Sequence, residues 1–201
     1  MSAVRPYRPT DDRALARICV LTGDSGGDAT GVFDDDLLPE LFLLPYLERH
    51  PDLAFVLADE EDTPIGYIVG TDDTAAFEAW FAGSWWSQRG ATRWPRPAPV
   101  RTRSDAMVAY GYSRGQGGAD DGVAPVGYPA HLHIDLLPRA QGGGWGRVLI
   151  GVLADALRAR GCEGLHASAS RANPGALAFY PRVGFVPVGG DDAATFGLTL
   201  R

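Results

Sequence analysis

The chain has 201 residues, 45% hydrophobic and 21% charged, which is enough apolar material for one globular domain with a sizeable core. Its formal net charge is −7 and all 18 basic residues are arginine, so the composition argues against a nucleic-acid-binding surface, which needs clustered positive charge. No apolar run approaches the ~20 residues needed to cross a membrane, and the N-terminus lacks a signal-like apolar core, so we expect a cytoplasmic protein without membrane contact.

The first half of the chain mixes strand and helix signals. A helix is predicted to start at Thr10 to Asp12, and a second apolar segment, Leu37 to Leu47, is predicted to break into two helices at its prolines. Between them lies an acidic loop, Gly23 to Asp36, which we read mainly as solvated and only secondarily as an attractor of cations. The predicted strands are Val4–Arg8, Leu53–Ala58 and Ile65–Gly70.

A long segment, 73–127, separates these strands from the rest of the fold. It is predicted to hold a helix over Thr74 to Gln88, a loop over Gly90 to Pro99, a helix over Arg103 to Tyr112 and a loop over Gly115 to Gly127. We expect its tryptophans to pack against the core instead of forming a lid; they are Trp80, Trp85, Trp86 and Trp94.

The second half has a more regular order of strand, helix, strand, helix and two closing strands. The predicted strands are His131–Leu137, Leu165–Ala169, Phe185–Val188 and Thr195–Leu200, and the helices are Arg147–Arg160 and one starting at Asn173. The two cysteines, Cys19 and Cys162, lack metal-ligand spacing, so we expect reduced thiols and no metal site.

A glycine-rich turn joins the strand His131–Leu137 to the helix that follows it, and reads Gln-Gly-Gly-Gly-Trp-Gly-Arg from position 141. Glycine lets main-chain N–H groups approach a ligand, and a helix N-terminus adds unpaired donors, so this turn is suited to bind a pyrophosphate. A Walker motif is excluded because the chain contains no lysine. A dinucleotide fingerprint is disfavoured because Glu163 precedes the next strand instead of ending it. A turn that only caps the helix remains the alternative.

A second pattern follows at a fixed distance: Asn-x-x-Ala-x-x-Phe-Tyr-x-x-x-Gly-Phe, starting at Asn173. Asn173 is predicted to be the helix N-cap, with Pro174 in the first turn. Ala176, Phe179 and Tyr180 share one helical face. The alternative is an ordinary amphipathic helix before a strand, but two ordered motifs at this separation are much less expected by chance than either alone.

Together the two motifs resemble those of the GNAT superfamily of N-acetyltransferases, whose pyrophosphate loop follows the pattern Gln/Arg-x-x-Gly-x-Gly/Ala. The resemblance implies an α/β fold with a mixed twisted sheet splayed between its fourth and fifth strands, here His131–Leu137 and Leu165–Ala169, and helices on both faces. It also implies acetyl-CoA as acetyl donor, with its pantetheine arm in the gap between those strands. We expect a single domain over 1–201, enlarged at 73–127.

A narrower similarity is carried by short motifs in the N-terminal half. They are Asp24-Ser25-Gly26-Gly27-Asp28, Pro45-Tyr46-Leu47, Phe55-Val56-Leu57, Gly66-Tyr67 and Gly70-x-x-Asp73. They resemble the acetyltransferase-like domain of the O-GlcNAc hydrolases and its free-standing bacterial relatives. In animal members the glycine loop is degraded, whereas this chain keeps it intact, so cofactor binding is expected here. We expect no glycosidase domain, so sugar hydrolysis is not inferred.

The resemblance assigns expected roles to individual residues. Main-chain groups of Leu136 and Leu137 would meet the pantetheine arm, and an N–H near Leu136 would stabilise the developing oxyanion. Tyr180 holds the position that protonates or stabilises the departing thiolate. The other expected cofactor-binding residues are those of the loop and of the second motif: Gln141, Gly142, Gly143, Gly144, Trp145, Gly146, Arg147, Asn173 and Phe179.

The general base is left open between residues of one strand. His131, His133 and Asp135 alternate, so their side chains share one face of the sheet. Asp135, acting through a water molecule, is the first candidate because burial can raise the pKa of a carboxyl; His133 is the second, and each could equally be structural.

These observations predict an acetyl-CoA-dependent N-acetyltransferase acting on a small amine or a protein amino group. The alternative is a non-catalytic acetyl-CoA-binding or protein-interaction module, since pseudo-enzymes exist among the resembling domains. A dinucleotide-dependent oxidoreductase is poorly supported. A homodimer is possible, although no sequence feature places an interface.

Overall fold

One seven-stranded mixed sheet runs through the computed structural model, which describes residues 2–114, 124–190 and 193–201. The strand order is β1-β2-β3-β4-β5-β7-β6; β4 and β5 are parallel and every other neighbouring pair is antiparallel. All seven predicted strands are present, as β1 Ala3–Pro6, β2 Ala54–Ala58, β3 Pro64–Thr71, β4 Ala130–Leu136, β5 Gly164–Ser170, β6 Val186–Gly189 and β7 Ala193–Thr199.

The helices agree with the predictions in number and place, with one exception in the enlarged segment. The broken helix around Leu43 is confirmed as α2 and α3, and Asn173 caps α8 through a hydrogen bond from the Ala176 N–H. The helices are α1 Asp12–Thr22, α2 Leu37–Phe42, α3 Leu44–Arg49, α4 Thr74–Trp80, α5 Ala91–Arg93, α6 Arg103–Ser113, α7 Trp145–Ala159 and α8 Pro174–Arg182.

The predicted splay between the fourth and fifth strands is confirmed. Each strand has seven residues, yet they pair only at Ala130 with Leu165 and at His131 with His166. Beyond His131 the two strands diverge, so a V-shaped gap opens towards the C-terminal end of β4. That end leads directly into the glycine-rich turn.

Helices cover both faces of the sheet, as expected for an alternating strand pattern. On one face α7 and α8 close a core around Leu149, Leu153 and Phe196. On the other face α1 and α3 lie against β3, with Leu15, Tyr46 and other apolar side chains buried between them. The alternation of β4 therefore sends His131, His133 and Asp135 to the second face, as predicted.

The tryptophans of the enlarged segment pack into a third apolar cluster, as expected. Trp85 and Trp86 are each 3% exposed and lie with Phe81 against α2 and α6. The prediction of a single α-helix followed by a loop from Gly90 was wrong: α4 continues as a π-helix, Phe81–Gly90, and then as the short α5. Gly90 and Gly111 allow this, because a Cβ on either would lie within 2.5 Å of the Trp86 ring. The loop predicted over Gly115 to Gly127 lies outside the described residues, apart from its last four positions.

A buried ion pair fastens α6 to α4. Arg114 and Glu78 are 2% and 5% exposed, and the guanidinium donates hydrogen bonds of 2.9 and 2.5 Å to the carboxylate. A third bond goes to the Leu41 carbonyl, and the guanidinium stacks 3.8 Å from the Phe81 ring centroid. Bidentate pairing of this kind satisfies both charges where water cannot. Within the three described ranges, no helix is long and apolar enough to span a membrane.

Candidate active site

The glycine-rich turn offers a row of unpaired main-chain donors at the start of α7. Gly142 and Gly144 have φ angles of +77° and +81°, which only glycine adopts without strain, and Gly144 is the N-cap of α7. Within the described part of the chain, the N–H groups of residues 142–146 make no main-chain hydrogen bond. Successive free N–H groups at a helix N-terminus form an anion-binding concavity.

The end of β4 is oriented by its hydrogen bonds to β3. The Leu137 N–H donates to the Ile65 carbonyl at 3.0 Å, so the alternation of an antiparallel ladder turns the main-chain groups of Leu136 and Ile134 towards the gap. The Leu136 carbonyl accepts a 2.9 Å hydrogen bond from the Gln141 side chain, which ties the turn to the strand. The Leu137 carbonyl accepts from the Ala140 N–H. The Leu137 N–H is thus engaged within the protein, while its carbonyl keeps a second lone pair for a ligand.

The start of α8 faces the same gap. Asn173 uses its side-chain oxygen to cap the helix, and its amide nitrogen has no hydrogen-bond partner among the described residues. Gly26 of the acidic loop lies so close that a Cβ there would be 3.2 Å from that nitrogen. The loop after α1 therefore forms the outer wall at Asn173.

Phe179 and Arg147 hold α8 against α7. A Cβ on Gly146 would lie 2.8 Å from the Phe179 ring, so glycine at this position lets the two helices touch. The Arg147 guanidinium donates to the Arg182 carbonyl at the end of α8. Trp145 packs partly into the adjoining core. These three expected cofactor residues thus have visible structural contacts, while Arg147 also leaves positive charge beside the turn.

Tyr180 lies at the inner end of the gap with its hydroxyl unpaired. The side chain is 6% exposed and its ring stacks on Phe196 at 5.3 Å, yet no described residue hydrogen-bonds the hydroxyl. Burial and the nearby charge of Asp135 raise the pKa of Tyr180, so the phenol stays protonated at neutral pH. A buried unpaired hydroxyl that lines a cavity is suited to donate to a ligand.

Asp135 lies near Tyr180 and is held by two hydroxyl groups. Tyr67 donates to one carboxylate oxygen at 2.5 Å, and the Thr22 hydroxyl lies 2.9 Å from the other, sharing its proton between Asp135 and the Ile18 carbonyl, also at 2.9 Å. Burial raises the pKa of Asp135, while these two hydrogen bonds partly oppose that shift. Each carboxylate oxygen accepts one hydrogen bond, so each keeps a second lone pair that can accept from a water molecule.

The two histidines of β4 differ in their environments. The Tyr46 hydroxyl and the Thr74 hydroxyl bond the two ring nitrogens of His131 at 2.7 and 2.8 Å. His131 is therefore satisfied within the protein. His133 lies against the rings of Phe42 and Tyr46, and burial together with the charge of Arg114 lowers its pKa to about 3.

Sequence reasoning missed the contribution of β5 to this site. Two adjoining cavities of about 370 and 580 Å³ follow the gap, and both are lined by Ser168 and Ser170 of β5 as well as by His133 of β4. His166 lines the larger cavity, and its Nδ1 donates to the Tyr128 carbonyl at 2.8 Å. The strict alternation of polar residues at 166, 168 and 170 was the signal that pointed to a polar face.

The carboxylates of the acidic loop are already paired. Asp24 makes two hydrogen bonds to Arg103 of α6, and Asp34 and Asp36 both pair with Arg93. These charges tie the loop to the enlarged segment. At these three positions the carboxylates are paired with arginine, which argues against the interpretation of this loop as an attractor of cations.

The fold and this gap define a class of protein in which a splayed parallel strand pair adjoins a glycine turn at a helix N-terminus. Residues 24–185 match the acetyltransferase (GNAT) family. The crystal structure of a protein named SsHAT superposes with a TM-score of 0.91 and 38% sequence identity, covering 100% of this chain and 98% of that one.

Two more distant structures share the fold. One is yncA from Salmonella typhimurium with its cofactor acetyl-CoA, with a TM-score of 0.56, 18% identity and coverage of 100% and 95%. The other is phosphinothricin acetyltransferase from Sinorhizobium meliloti in complex with acetyl-CoA, with a TM-score of 0.57, 16% identity and coverage of 98% and 88%. The protein described here belongs to the acetyltransferase (GNAT) family.

Proposed function

We propose that this protein is an N-acetyltransferase that takes the acetyl group from acetyl-CoA and passes it to an amine by direct attack in a ternary complex. One observation carries the proposal. The gap between β4 and β5 opens at the end of β4 that leads into a turn of free N–H groups, and the cavity along it is lined by Tyr180, whose hydroxyl has no partner among the described residues. Family membership and the acetyl-CoA complexes of two proteins with the same fold support it.

The residues present fit acetyl-CoA. The free N–H groups from Gly142 to Gly146 can donate hydrogen bonds to a pyrophosphate. The chain contains no lysine that could bind the pyrophosphate in their place. The Leu136 N–H points away from β3, and Asn173, whose side-chain nitrogen has no hydrogen-bond partner among the described residues, lines the smaller cavity; both would donate to a pantetheine amide. We retain Gln141, Trp145, Arg147 and Phe179 as residues that shape this site.

Acetyl-CoA supplies a thioester: the amine nitrogen bonds to its carbonyl carbon, the carbon–sulfur bond breaks, and the products are an amide and the free thiol. The chain must then stabilise negative charge on the carbonyl oxygen, and the Leu136 N–H is the donor that faces the gap. Tyr180 donates its proton to the departing sulfur, and its raised pKa keeps that proton in place until then.

The proton lost by the amine goes to Asp135 through a water molecule in this proposal. Burial raises the pKa of Asp135 and so makes it a stronger base than an exposed carboxylate. His133 is the second candidate, but a pKa of about 3 makes its ring a weak proton acceptor. Asp135 also lines the smaller cavity together with Tyr180.

Several broader expectations belong to the same proposal. We propose one domain over residues 1–201, enlarged at 73–127, and a kinship with the acetyltransferase-like domain of the O-GlcNAc hydrolases. A homodimer and a cytoplasmic location remain predictions, which sedimentation and fractionation would test.

Calorimetric titration of acetyl-CoA, with coenzyme A and NADH as comparisons, tests the cofactor assignment. Acetyl-CoA should bind more tightly than NADH, and thiol release should depend on an added amine. Binding without transfer to any amine or peptide would favour the non-catalytic module, and the absence of binding would remove the cofactor assignment.

A further inference from the structure

The larger cavity lies next to the proposed acetyl site and suits a small molecule. Its volume of about 580 Å³ falls within the usual range of ~300–1,000 Å³ for small-molecule sites. It is continuous with the smaller cavity, because Phe42, Met107, Leu132 and His133 line both. If the proposed function holds, this is where the acceptor binds.

Aromatic rings dominate the walls of this cavity. Phe42 of α2 stacks with Tyr110 of α6 at 5.7 Å, and it also contacts the His133 ring at 5.4 Å. The His131 and His166 rings lie 5.6 Å apart on the neighbouring strands. Offset and tilted rings of this kind favour a planar aromatic ligand through ring–ring contacts.

The described walls carry no uncompensated negative charge. Glu78 lines the cavity, but Arg114 neutralises it with two hydrogen bonds. Arg103, a further lining residue, is paired with Asp24. Burial lowers the pKa of His131, His133 and His166, so their rings are uncharged at neutral pH.

Against the described walls of this larger cavity, an alkylammonium group would therefore lose its hydration without gaining an anionic partner, since the carboxylate of Asp135 lines the smaller cavity instead. A primary amine attached directly to an aromatic ring avoids this cost, because delocalisation of its lone pair leaves it uncharged at neutral pH. We infer that the acceptor is an arylamine, with its ring between the aromatic walls of α2, α6 and β4.

The transfer step balances for this acceptor. The arylamine nitrogen bonds to the acetyl carbon, and the sulfur leaves with the proton of Tyr180. One proton of the nitrogen goes to Asp135, and proton exchange with water restores both side chains. An uncharged amine needs no prior deprotonation, so a site without a strong base suffices.

A matched pair of ligands isolates the charge. 1-Naphthylamine is uncharged at pH 7.5, whereas 1-naphthylmethylamine has one more methylene group and is cationic. Calorimetry with the protein saturated by coenzyme A should show 1-naphthylamine binding at least about tenfold more tightly, which corresponds to about 1.4 kcal/mol. Equal or tighter binding of the cationic amine would overturn the inference, and so would no binding of either.

A matched pair of variants tests the place of binding. Tyr110→Leu removes a cavity wall and should weaken 1-naphthylamine binding about tenfold. Tyr112→Leu, on the same helix, removes a ring that packs on Trp86 outside the cavity and should leave binding unchanged. Acetyl-CoA affinity reports whether each variant is folded. Equal effects of both substitutions would contradict the placement.

Transfer assays separate this inference from the proposed function. Acetylation of 1-naphthylamine with a higher kcat/KM than a lysine-containing peptide supports both. A higher value for the peptide overturns the arylamine inference and leaves the transferase proposal intact. Tight binding of 1-naphthylamine without acetylation supports the acceptor site and refutes the transferase proposal.

Discussion

Replacing Gly144 by glutamate places a negative charge where the pyrophosphate is proposed to bind. A Cβ at Gly144 meets no atom within 4 Å, so the side chain fits, but the φ of +81° imposes a strain of about 1–2 kcal/mol on unfolding stability. A carboxylate about 4 Å from a phosphate charge costs about 4 kcal/mol at an effective dielectric constant of about 20. The turn is exposed, so ions reduce this, and we expect affinity for acetyl-CoA to fall roughly 30- to 100-fold.

Gly161 provides a control for backbone strain. Its φ is +80°, a Cβ there also meets no atom within 4 Å, and it lies just beyond the opposite end of α7. Gly161→Glu should therefore lower the melting temperature as much as Gly144→Glu does and leave calorimetric affinity for acetyl-CoA unchanged. Equal affinities of the two variants would refute the assignment of the turn to the pyrophosphate.

Three further substitutions test the catalytic and structural assignments. Tyr180→Phe should lower kcat about 10²- to 10⁴-fold with little change in acetyl-CoA affinity, because the hydroxyl has no partner among the described residues; an unchanged kcat would remove its role as acid. Asp135→Asn should abolish the acidic limb of the kcat profile, since burial raises the pKa of Asp135 and the wild-type base is lost as pH falls through that value. A raised folded-state pKa stabilises the fold below the unfolded pKa of Asp135, and this stability is lost as pH rises through the folded pKa. Asp135→Asn should therefore also make the free energy of unfolding less dependent on pH in this range. Unaltered pH profiles of kcat and of unfolding stability would contradict the assignment. Glu78→Gln leaves Arg114 charged and buried, and denaturant unfolding should show a loss of about 3–5 kcal/mol, against less than about 1 for Glu163→Gln in an exposed pair; similar losses would contradict the importance of burial.

The features that could be predicted from the sequence depend on short-range patterns. Alternation in β4 placed His131, His133 and Asp135 on one face, and the cap at Asn173 followed from residue type and the next proline. The broken helix at Leu43 followed from the prolines nearby. Each of these depends on neighbours within about one helical turn or one strand.

The features that could not be predicted depend on contacts between distant segments. The π-helix follows from the fit of Trp86 against Gly90 and Gly111, which pattern matching along one helix does not encode. The pairing of Arg114 with Glu78 joins residues 36 apart in the chain. The Leu137 N–H bonds to Ile65 because of the register between β4 and β3, so the sequence alone could not show which main-chain groups are available to a ligand.

The divergence of β4 from β5 also implies an uneven pattern of amide hydrogen exchange along one strand. His133 and Asp135 donate towards β3 and should exchange slowly, whereas the Ile134 and Leu136 amides face the gap and should exchange quickly. A ligand that fills the gap would slow only the second pair. Hydrogen-exchange rates at alternate amides of β4 would thus show whether the site is occupied, with no change in the fold around it.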